Sequence, residues 1–494
     1  MILARALAGA VALALPFAAS ASRCDDVLAA LGSRLADATC FESTDLTTTN
    51  PSTTPLDNTL PGVPVGAWTP RTDRGVIVGA PADNTPITHA VPGIQLNARI
   101  ADDPTGQARF LLRLPNDWNG RLVVAGASGT RSEFNGDFAW SDYVVQKGYA
   151  YASQNKGVLN LKITGIGVPT PPTGDSCRLN PTSTVWVEFF DNGAAKPFTQ
   201  WTEYMITGAR LARDAVKAGY QHYPTRTYAV GTSNGGYQVR RAMEEAPDLF
   251  DGGVDWEGTF IDAAGPNILE DLPPAIANWS AYAASGFNPA SAAAQNIVAA
   301  GYPPDIVNGA LSLWGNYNAQ FWEVTQCQWQ KRFDPAWSTY NGGPGDVTGT
   351  GGYNYAARVL GDPSIAAQVA AVATTGKIKQ PLITVAGTMD ALLPIRHGAR
   401  AYADKVNASR LGNNDHRAAQ YRLYEVQNGN HIEGYKSTFP QLEYIRPHAQ
   451  RAFDLLVQHV EQQAALPPDQ CIPHGGAIAD APAQAGECAN LYVP

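Results

Sequence analysis

Residues Thr227–Tyr237, which read T-Y-A-V-G-T-S-N-G-G-Y, decide the fold of this chain. A short β-type run ends at Gly231 and good helix formers follow Gly236, so G-T-S-N-G lies between a predicted strand and a predicted helix. In this context the pattern G-x-S-x-G predicts a nucleophile elbow, a strained turn that exposes the hydroxyl of Ser233 at the end of a sheet. Gly231 and Gly235 have no Cβ that would collide where the strand and the helix meet. The alternative is a glycine-rich turn that carries an ordinary serine.

A serine that attacks a carbonyl group needs N–H donors for the oxyanion that forms, and the chain offers two sources. Asn234 follows the serine at the start of the predicted helix, where partial positive charge favours a developing negative oxygen. The second donor is expected from the loop after an early strand. The loop Gly126–Thr130 (G-A-S-G-T) follows the apolar run Arg121–Ala125. We predict that Ala127 or Ser128 supplies the second N–H group.

An elbow serine also needs an acid and then a histidine later in the chain, each just beyond a strand. The strand-like run Pro381–Ala386 is followed by G-T-M-D, which ends at Asp390. A buried carboxylate at this position would accept a hydrogen bond from imidazole Nδ1 and fix the tautomer. The run Gln420–Val426 is followed by Q-N-G-N-H, which ends at His431. We therefore predict that Asp390 and His431 complete a triad with Ser233.

Simpler interpretations exist for both residues. The aspartate could start the next helix as an N-cap or form an Asx turn, and the histidine could lie on a surface loop. The other seven histidines precede the serine, sit inside helices or the tail, or lie at the wrong end of a strand. Asp255 and Glu257 are reserve acids, because they follow the strand after the elbow.

Strand and helix patterns alternate along the chain, which predicts an α/β fold with a parallel sheet covered by helices on both faces. Period-two or continuous apolar runs predict strands at residues 94–100, 108–114, 121–125, 149–152, 227–230, 250–256, 381–386 and 420–426. Helical patterns occupy residues 140–147, 199–219, 237–245 and 446–463.

Interruptions in this alternation predict the domain organisation. We expect a signal peptide at 1–21, an N-terminal extension at 22–92 that wraps over the core, a core at 93–258 and 380–463, an inserted cap at 259–379, and a tail at 464–494 pinned by a disulfide. The cap holds five of the eleven tryptophans. These rings predict either a second small hydrophobic core or an aromatic-lined cleft between the cap and the sheet.

The composition and the N-terminus restrict the compartment and the partners. The formal net charge of −9 argues against nucleic acid and against anionic membrane surfaces as partners. Arg5, the apolar run Ala6–Leu15 and an A-S-A site that ends at Ala21 predict a signal peptide, and hence a secreted or periplasmic protein. The sequence shows no other long apolar stretch, so we expect no membrane insertion.

Six cysteines behind a predicted signal peptide indicate disulfides formed in an oxidising compartment. Six cysteines allow fifteen pairings. We favour Cys24–Cys40 and Cys471–Cys488 because each closes a short terminal loop, which leaves Cys177–Cys327 to join two long insertions. The sequence contains no C-x-x-C and no H-E-x-x-H, so neither a zinc site nor a redox motif is indicated.

The motifs G-T-S-N-G, G-T-M-D and N-G-N-H, in this order, resemble those of the α/β-hydrolase fold. That resemblance implies a mostly parallel central sheet with helices on both faces and a large inserted cap. A secreted chain with a large cap between nucleophile and acid is similar to the tannase/feruloyl esterase family. The chain carries Thr232 and Ile432 where tannase-type enzymes carry a bridged cysteine pair.

A second resemblance rests on the G-A-S-G-T loop, on Lys147–Gly157 (K-G-Y-A-Y-A-S-Q-N-K-G) and on S-N-G-G. These stretches are similar to those of the 3-hydroxybutyrate oligomer hydrolases. The two resemblances together imply a serine ester hydrolase that acts on polyester or hydroxyalkanoate oligomers, or on aromatic esters of the feruloyl or tannin type. The alternatives are a serine peptidase on the same fold and a non-catalytic protein that binds a ligand under its cap. Triad chemistry needs no cofactor, so we expect none.

Overall fold

The computed structural model describes residues 22–56, 69–80, 86–158, 162–188, 198–340, 348–413 and 420–494. The predicted signal peptide, residues 1–21, lies outside the described residues.

The strands of the described residues begin and end close to the predicted bounds wherever the sequence showed a clear apolar pattern. In chain order they are β1 (Leu35–Ser43), β2 (Gly93–Ile100), β3 (Arg109–Pro115), β4 (Arg121–Gly126), β5 (Ala150–Gln154), β6 (Lys162–Ile166), β7 (Cys177–Arg178), β8 (Val185–Glu188), β9 (Arg226–Thr232), β10 (Gly252–Trp256), β11 (Val307–Asn308), β12 (Leu311–Ser312), β13 (Leu382–Gly387), β14 (Tyr421–Val426) and β15 (Gln470–Ile472).

The α-helices range in length from four to 22 residues. They are α1 (Arg23–Leu31), α2 (Pro70–Asp73), α3 (Asp142–Val145), α4 (Thr199–Tyr220), α5 (Asn234–Glu245), α6 (Ile268–Ala284), α7 (Ala292–Ala299), α8 (Leu313–Tyr317), α9 (Glu323–Phe333), α10 (Thr348–Gly351), α11 (Tyr355–Gly361), α12 (Pro363–Val372), α13 (Ala401–Asn413) and α14 (Arg446–Gln462). Among the described residues, no helix combines the length and the apolar character needed to cross a lipid bilayer.

Ten strands form the central sheet, in the order β1-β2-β3-β5-β4-β9-β10-β13-β14-β15. The first four are joined antiparallel, and every pairing from β5 to β15 is parallel. The central strands β10 and β13 are buried along their whole length, because helices cover the parallel part of the sheet on both faces. Helices α1, α4 and α13 pack on one face, and α3 and α14 pack on the other. The predicted α/β-hydrolase fold is confirmed.

The sequence patterns did not predict two strands of the central sheet, β1 and β15. β1 has a half-exposed burial pattern and lies in the predicted N-terminal extension, where it pairs antiparallel with β2. β15 has three residues and lies in the proline-rich tail, where it pairs with β14. Neither strand carries an apolar run that would predict it. Each is held at an edge of the sheet by pairing with its neighbouring strand and by a disulfide.

A helical insertion, defined here as α6–α12, lies between β10 and β13. Its aromatic rings belong to the same hydrophobic core as one face of the sheet, and within this core Trp322 packs against Trp279 and Tyr302. A small sheet of order β6-β8-β7 is bonded to the insertion by the disulfide Cys177–Cys327. The other disulfides join Cys24 to Cys40 and Cys471 to Cys488, so the favoured pairing is confirmed.

Candidate active site

The turn between β9 and α5 has the geometry of a nucleophile elbow. Ser233 adopts φ 58° and ψ −122°, a backbone region that L-residues rarely occupy. The turn is tight because a Cβ on Gly231 would overlap the carbonyl of Gly235, and a Cβ on Gly235 would overlap the carbonyl of Gly126. The Ser233 N–H donates to the Trp256 carbonyl at 2.9 Å. The backbone strain is therefore held by the neighbouring strand and by the absence of side chains.

The predicted acid lies just past β13. Asp390 is buried, and its Oδ1 accepts the backbone N–H groups of Leu392 and Leu393 at 2.7 and 2.8 Å. Asp390 therefore makes the local backbone contacts of an Asx turn, which was the simpler interpretation. Its second oxygen, Oδ2, accepts a hydrogen bond from His431 Nδ1 at 2.7 Å.

His431 lies just past β14 and joins the other two side chains. Its Nε2 is 3.0 Å from Ser233 Oγ, across 198 residues of sequence, and its ring is buried. The structure thus brings together Ser233, Asp390 and His431, the three side chains that the sequence analysis singled out. The proposal of a surface-loop histidine is wrong, since the ring is enclosed.

Burial and the neighbouring groups shift the pKa values of His431 and Asp390 in opposite directions. Burial alone would lower the pKa of His431, but the Asp390 carboxylate at Nδ1 outweighs burial and raises that pKa above its ordinary value. Burial would likewise raise the pKa of Asp390, but the imidazole and the backbone donors keep it below its ordinary value. The arrangement favours a negative aspartate beside a histidine that readily accepts a proton.

The two reserve acids have different surroundings. Asp255 Oδ2 accepts hydrogen bonds from Arg240 Nε at 2.5 Å and from Thr384 Oγ1 at 2.8 Å, so it belongs to a buried ion pair under the sheet edge. Glu257 lies directly at the imidazole, with its Oε2 3.5 Å from His431 Nδ1. The sequence showed that both follow β10 but did not show which of them faces the histidine.

The loop after β4 corrects the prediction for the second oxyanion donor. The Ser128 N–H donates to Asn135 Oδ1 at 3.1 Å, so this N–H group is not free for a substrate oxygen. The Ala127 carbonyl accepts a hydrogen bond from Lys156 Nζ at 2.6 Å. Gly129 lies on the wall of the pocket above Ser233. The prediction of Ser128 is wrong, because the sequence did not reveal that Asn135 folds back onto this loop.

Asn234 is at the elbow as predicted by the motif. It is the first residue of α5, a position whose backbone N–H has no acceptor within its own helix. Its side chain is fixed by Thr259, whose Oγ1 donates to Asn234 Oδ1 at 2.7 Å, and by a 3.4 Å hydrogen bond from Nδ2 to the Gly129 carbonyl. The start of α5 and the loop after β4 therefore meet above Ser233.

A pocket lies over the triad. Ser233 and His431 are at its base, and the helical insertion supplies Phe321 and Trp329 to its wall. Ile77 comes from the N-terminal segment, which the sequence analysis did not connect with the site. Of the eleven other wall residues, four are aliphatic, one is glycine and six are polar or charged, so the wall suits a ligand that carries both apolar and polar groups.

The helical insertion also holds the loops that carry the acid and the base. Trp322 Nε1 donates to the carbonyl of Ala391 at 2.7 Å, next to Asp390. Tyr317 donates its hydroxyl proton to Asn430 Oδ1 at 2.7 Å, next to His431. The aromatic residues of the insertion therefore extend the core of the sheet and form part of the pocket wall, so the prediction of a separate second core is wrong.

In the described part of the chain, one group of three carboxylate or imidazole side chains converges closely. The atoms of Glu257, Asp390 and His431 lie within 4.8 Å of one another. Asp390 Oδ2 accepts a hydrogen bond from His431 Nδ1, and Glu257 Oε2 lies 3.5 Å from the same nitrogen without a hydrogen bond of good geometry.

Comparison with known proteins connects the C-terminal part of the chain with one family. Residues 353–492 match the family model "3HB-oligomer hydrolase (3HBOH)". The resemblance to 3-hydroxybutyrate oligomer hydrolases is confirmed. The matched segment includes Asp390 and His431 but not Ser233.

Two relatives show how far this match extends. The chain is 35% identical over 129 residues to the D-(-)-3-hydroxybutyrate oligomer hydrolase of Burkholderia thailandensis, a match covering 24% of this chain and 17% of that protein. It is 34% identical over 139 residues to the enzyme of the same description from Burkholderia pseudomallei, covering 26% and 18%. The chain thus spans less than a fifth of the length of the curated relatives that it matches.

Solved structures similar to this chain include two fungal esterases. Feruloyl esterase B from Aspergillus oryzae has a TM-score of 0.47 at 14% identity, covering 79% of this chain and 86% of that one. Tannin acyl hydrolase from Aspergillus niger has a TM-score of 0.46 at 12% identity, covering 86% and 83%.

Proposed function

We propose that the protein is a serine carboxylic-ester hydrolase that is secreted or periplasmic. The observation that carries the proposal is the single buried imidazole of His431, which lies 3.0 Å from Ser233 Oγ and 2.7 Å from Asp390 Oδ2 under a pocket. The three disulfides suit an oxidising compartment.

The proposed reaction follows from this geometry. Neutral His431 takes the proton of Ser233 as the oxygen attacks the ester carbonyl, and Asp390 stabilises the imidazolium that forms. The oxyanion is stabilised by the Asn234 N–H at the start of α5 and by a backbone N–H of the loop after β4, where Gly129 and Thr130 line the pocket. His431 then protonates the leaving alcohol, and water attacks the acyl-enzyme with the same histidine as base.

Within this class we propose short hydroxyalkanoate oligomers as the substrate. The matched relatives are described as hydroxybutyrate oligomer hydrolases. Such an oligomer carries methyl-branched ester units, which suit the aliphatic part of the wall formed by Ile268, Leu392 and Leu393, and a free carboxylate at one end. Among the described wall residues, Arg131 and His431 are the two with basic side chains.

Purified protein is expected to hydrolyse 3-hydroxybutyrate dimers and trimers faster than feruloyl or galloyl esters, because the matched relatives are described as hydroxybutyrate oligomer hydrolases. The measurement is kcat/KM for each ester under one set of conditions, with Ser233→Ala protein as the background. Faster turnover of an aromatic ester would reject the oligomer substrate but keep the esterase class. Faster turnover of peptide amides than of any ester would reject the class.

Arg131 is expected to recognise the free carboxylate of the oligomer. Its Nε lies 3.8 Å from Asp73 Oδ1, and although burial lowers the pKa of Arg131 to about 10, the side chain stays cationic at neutral pH. Arg131→Gln should raise KM for the oligomer about 10- to 100-fold, the range expected for loss of a charge-assisted hydrogen bond.

The methyl ester of the same oligomer provides the control, because it lacks the charge. Its KM should change little in Arg131→Gln, and Arg131→Lys should restore part of the affinity for the acid. An equal rise of KM for the acid and for its methyl ester would show that the substitution acts on pocket shape and not on charge.

A further inference from the structure

Glu257 is a second carboxyl group at the imidazole that the triad mechanism does not use. It follows β10 directly and has φ 50°, an unusual conformation for a residue with a long side chain. Its Oε1 accepts the Trp256 Nε1–H at 2.7 Å. Its Oε2 is buried, makes no hydrogen bond of good geometry among the described residues, and lies 3.5 Å from His431 Nδ1.

The surroundings decide which of the two carboxyl groups carries a proton. Asp390 accepts two backbone N–H groups at Oδ1 and the imidazole N–H at Oδ2, so three donors stabilise its negative form. Glu257 has the indole N–H as its one donor of good geometry among the described residues. An oxygen of Glu257 and an oxygen of Asp390 lie within 4.8 Å of each other. Two buried carboxylates at this distance repel each other, and the group with fewer donors keeps the proton.

We propose that Glu257 is a neutral carboxylic acid whose O–H donates to Asp390, and that this contact positions Asp390 against His431 Nδ1. The inference rests on the proposed function, because it concerns the acid of the same triad. It gives the unpartnered Oε2 a hydrogen bond and leaves the imidazole with a single negative neighbour. Glu257 is thus a positioning residue, acting on the reaction through Asp390.

The groups that face Glu257 come from three elements. Asp390 follows β13, His431 follows β14, and Tyr317 belongs to α8 of the helical insertion. Burial, followed by the negative charge of Asp390, raises the pKa of Glu257 to about 8. The neutral form is therefore dominant at pH 7, and ionisation above pH 8 would replace the donated hydrogen bond by repulsion between two carboxylates.

The test compares pH profiles of kcat for wild type, Glu257→Gln and Glu257→Ala with one ester. Wild type should lose activity above about pH 8 as Glu257 ionises. The amide of Glu257→Gln still donates to Asp390 and does not ionise, so kcat at pH 7 should stay within about 3-fold of wild type and the alkaline decline should disappear. Glu257→Ala should lower kcat about 10- to 100-fold with little change in KM.

Glu425→Gln serves as a matched control, because Glu425 is another buried glutamate, paired with Arg400 and distant from the pocket wall. It should lower stability without changing the pH profile of kcat. An alkaline decline that persists in Glu257→Gln, or full kcat in Glu257→Ala, would overturn the positioning role.

Thermal unfolding tests the position of the proton without any activity. A glutamate with a raised pKa in the folded state binds its proton more tightly there than in the unfolded chain. The folded protein therefore loses stability relative to the unfolded chain as pH rises towards 8. The melting temperature of wild type should therefore fall more between pH 6 and pH 9 than that of Glu257→Gln. An equal fall of the melting temperature in wild type and Glu257→Gln would reject a neutral Glu257. An absence of ester hydrolysis by wild type would reject only the proposed function.

Discussion

Replacing Ser233 by alanine is expected to reduce kcat for ester hydrolysis by about 10⁵-fold or more, because the covalent step loses its nucleophile. The neighbouring groups would remain in place: His431 would keep its 2.7 Å contact with Asp390, and the Asn234 N–H would keep its position at the start of α5. The residual rate should be the small acceleration that comes from binding and from the oxyanion donors alone.

The measurement is the initial rate on a hydroxybutyrate trimer and on a short p-nitrophenyl ester, together with labelling by a fluorophosphonate. Wild type should be labelled and Ser233→Ala should not. Ser153→Ala is the matched control, since Ser153 is a buried serine of β5 that is not on the pocket wall, and its labelling should equal that of wild type. Retained turnover in Ser233→Ala would mean that another residue performs the chemistry.

The position of this serine was predictable because the signals are local. Gly231 and Gly235 are required by sterics within five residues of chain, and a short β-type run, Thr227–Val230, precedes them. Asp390 and His431 were predictable for a different reason. Parallel strands place their carboxyl ends at one edge of the sheet, so a residue just past β13 and one just past β14 must lie near the end of β9.

Contacts between distant parts of the chain were not predictable in this way. Asn135 takes the N–H of Ser128, and Ile77 reaches the pocket from the N-terminal segment. Neither contact has a periodic pattern or a motif that would reveal it. The choice between the acids after β10 and β13 was also open, because it depends on side-chain direction. Asp255 points to Arg240 under the sheet, whereas Glu257 points to the imidazole.

Replacing Asp390 by asparagine is expected to reduce kcat about 10³- to 10⁴-fold, because an amide does not hold the imidazole in the tautomer that presents a bare Nε2 to the serine. The pH dependence should change in a defined direction. The Asp390 charge raises the pKa of His431, and catalysis needs the neutral imidazole. Without that charge, His431 loses its proton at lower pH, so the acidic limb of the kcat profile should move to lower pH.

The size of this effect depends on the carboxyl group that remains. With Asp390 neutralised, Glu257 no longer faces a negative neighbour and ionises more readily, and its Oε2 already lies 3.5 Å from His431 Nδ1. Glu257 should therefore act as a partial replacement, and the double variant Asp390→Asn, Glu257→Gln should lose about a further 10-fold in kcat.

Coupling between the two carboxyl groups separates this explanation from a general loss of structure. Glu257→Gln is nearly silent when Asp390 is present and costly when it is absent, a non-additivity that two independent sites would not show. The acidic limb should lie at the lowest pH in the double variant, where both negative charges are gone. Asp454→Asn, which removes an ion pair with Lys147 outside the pocket wall, should leave the limb in place. An acidic limb that stays fixed or moves to higher pH in Asp390→Asn would show that Asp390 does not control the proton affinity of His431.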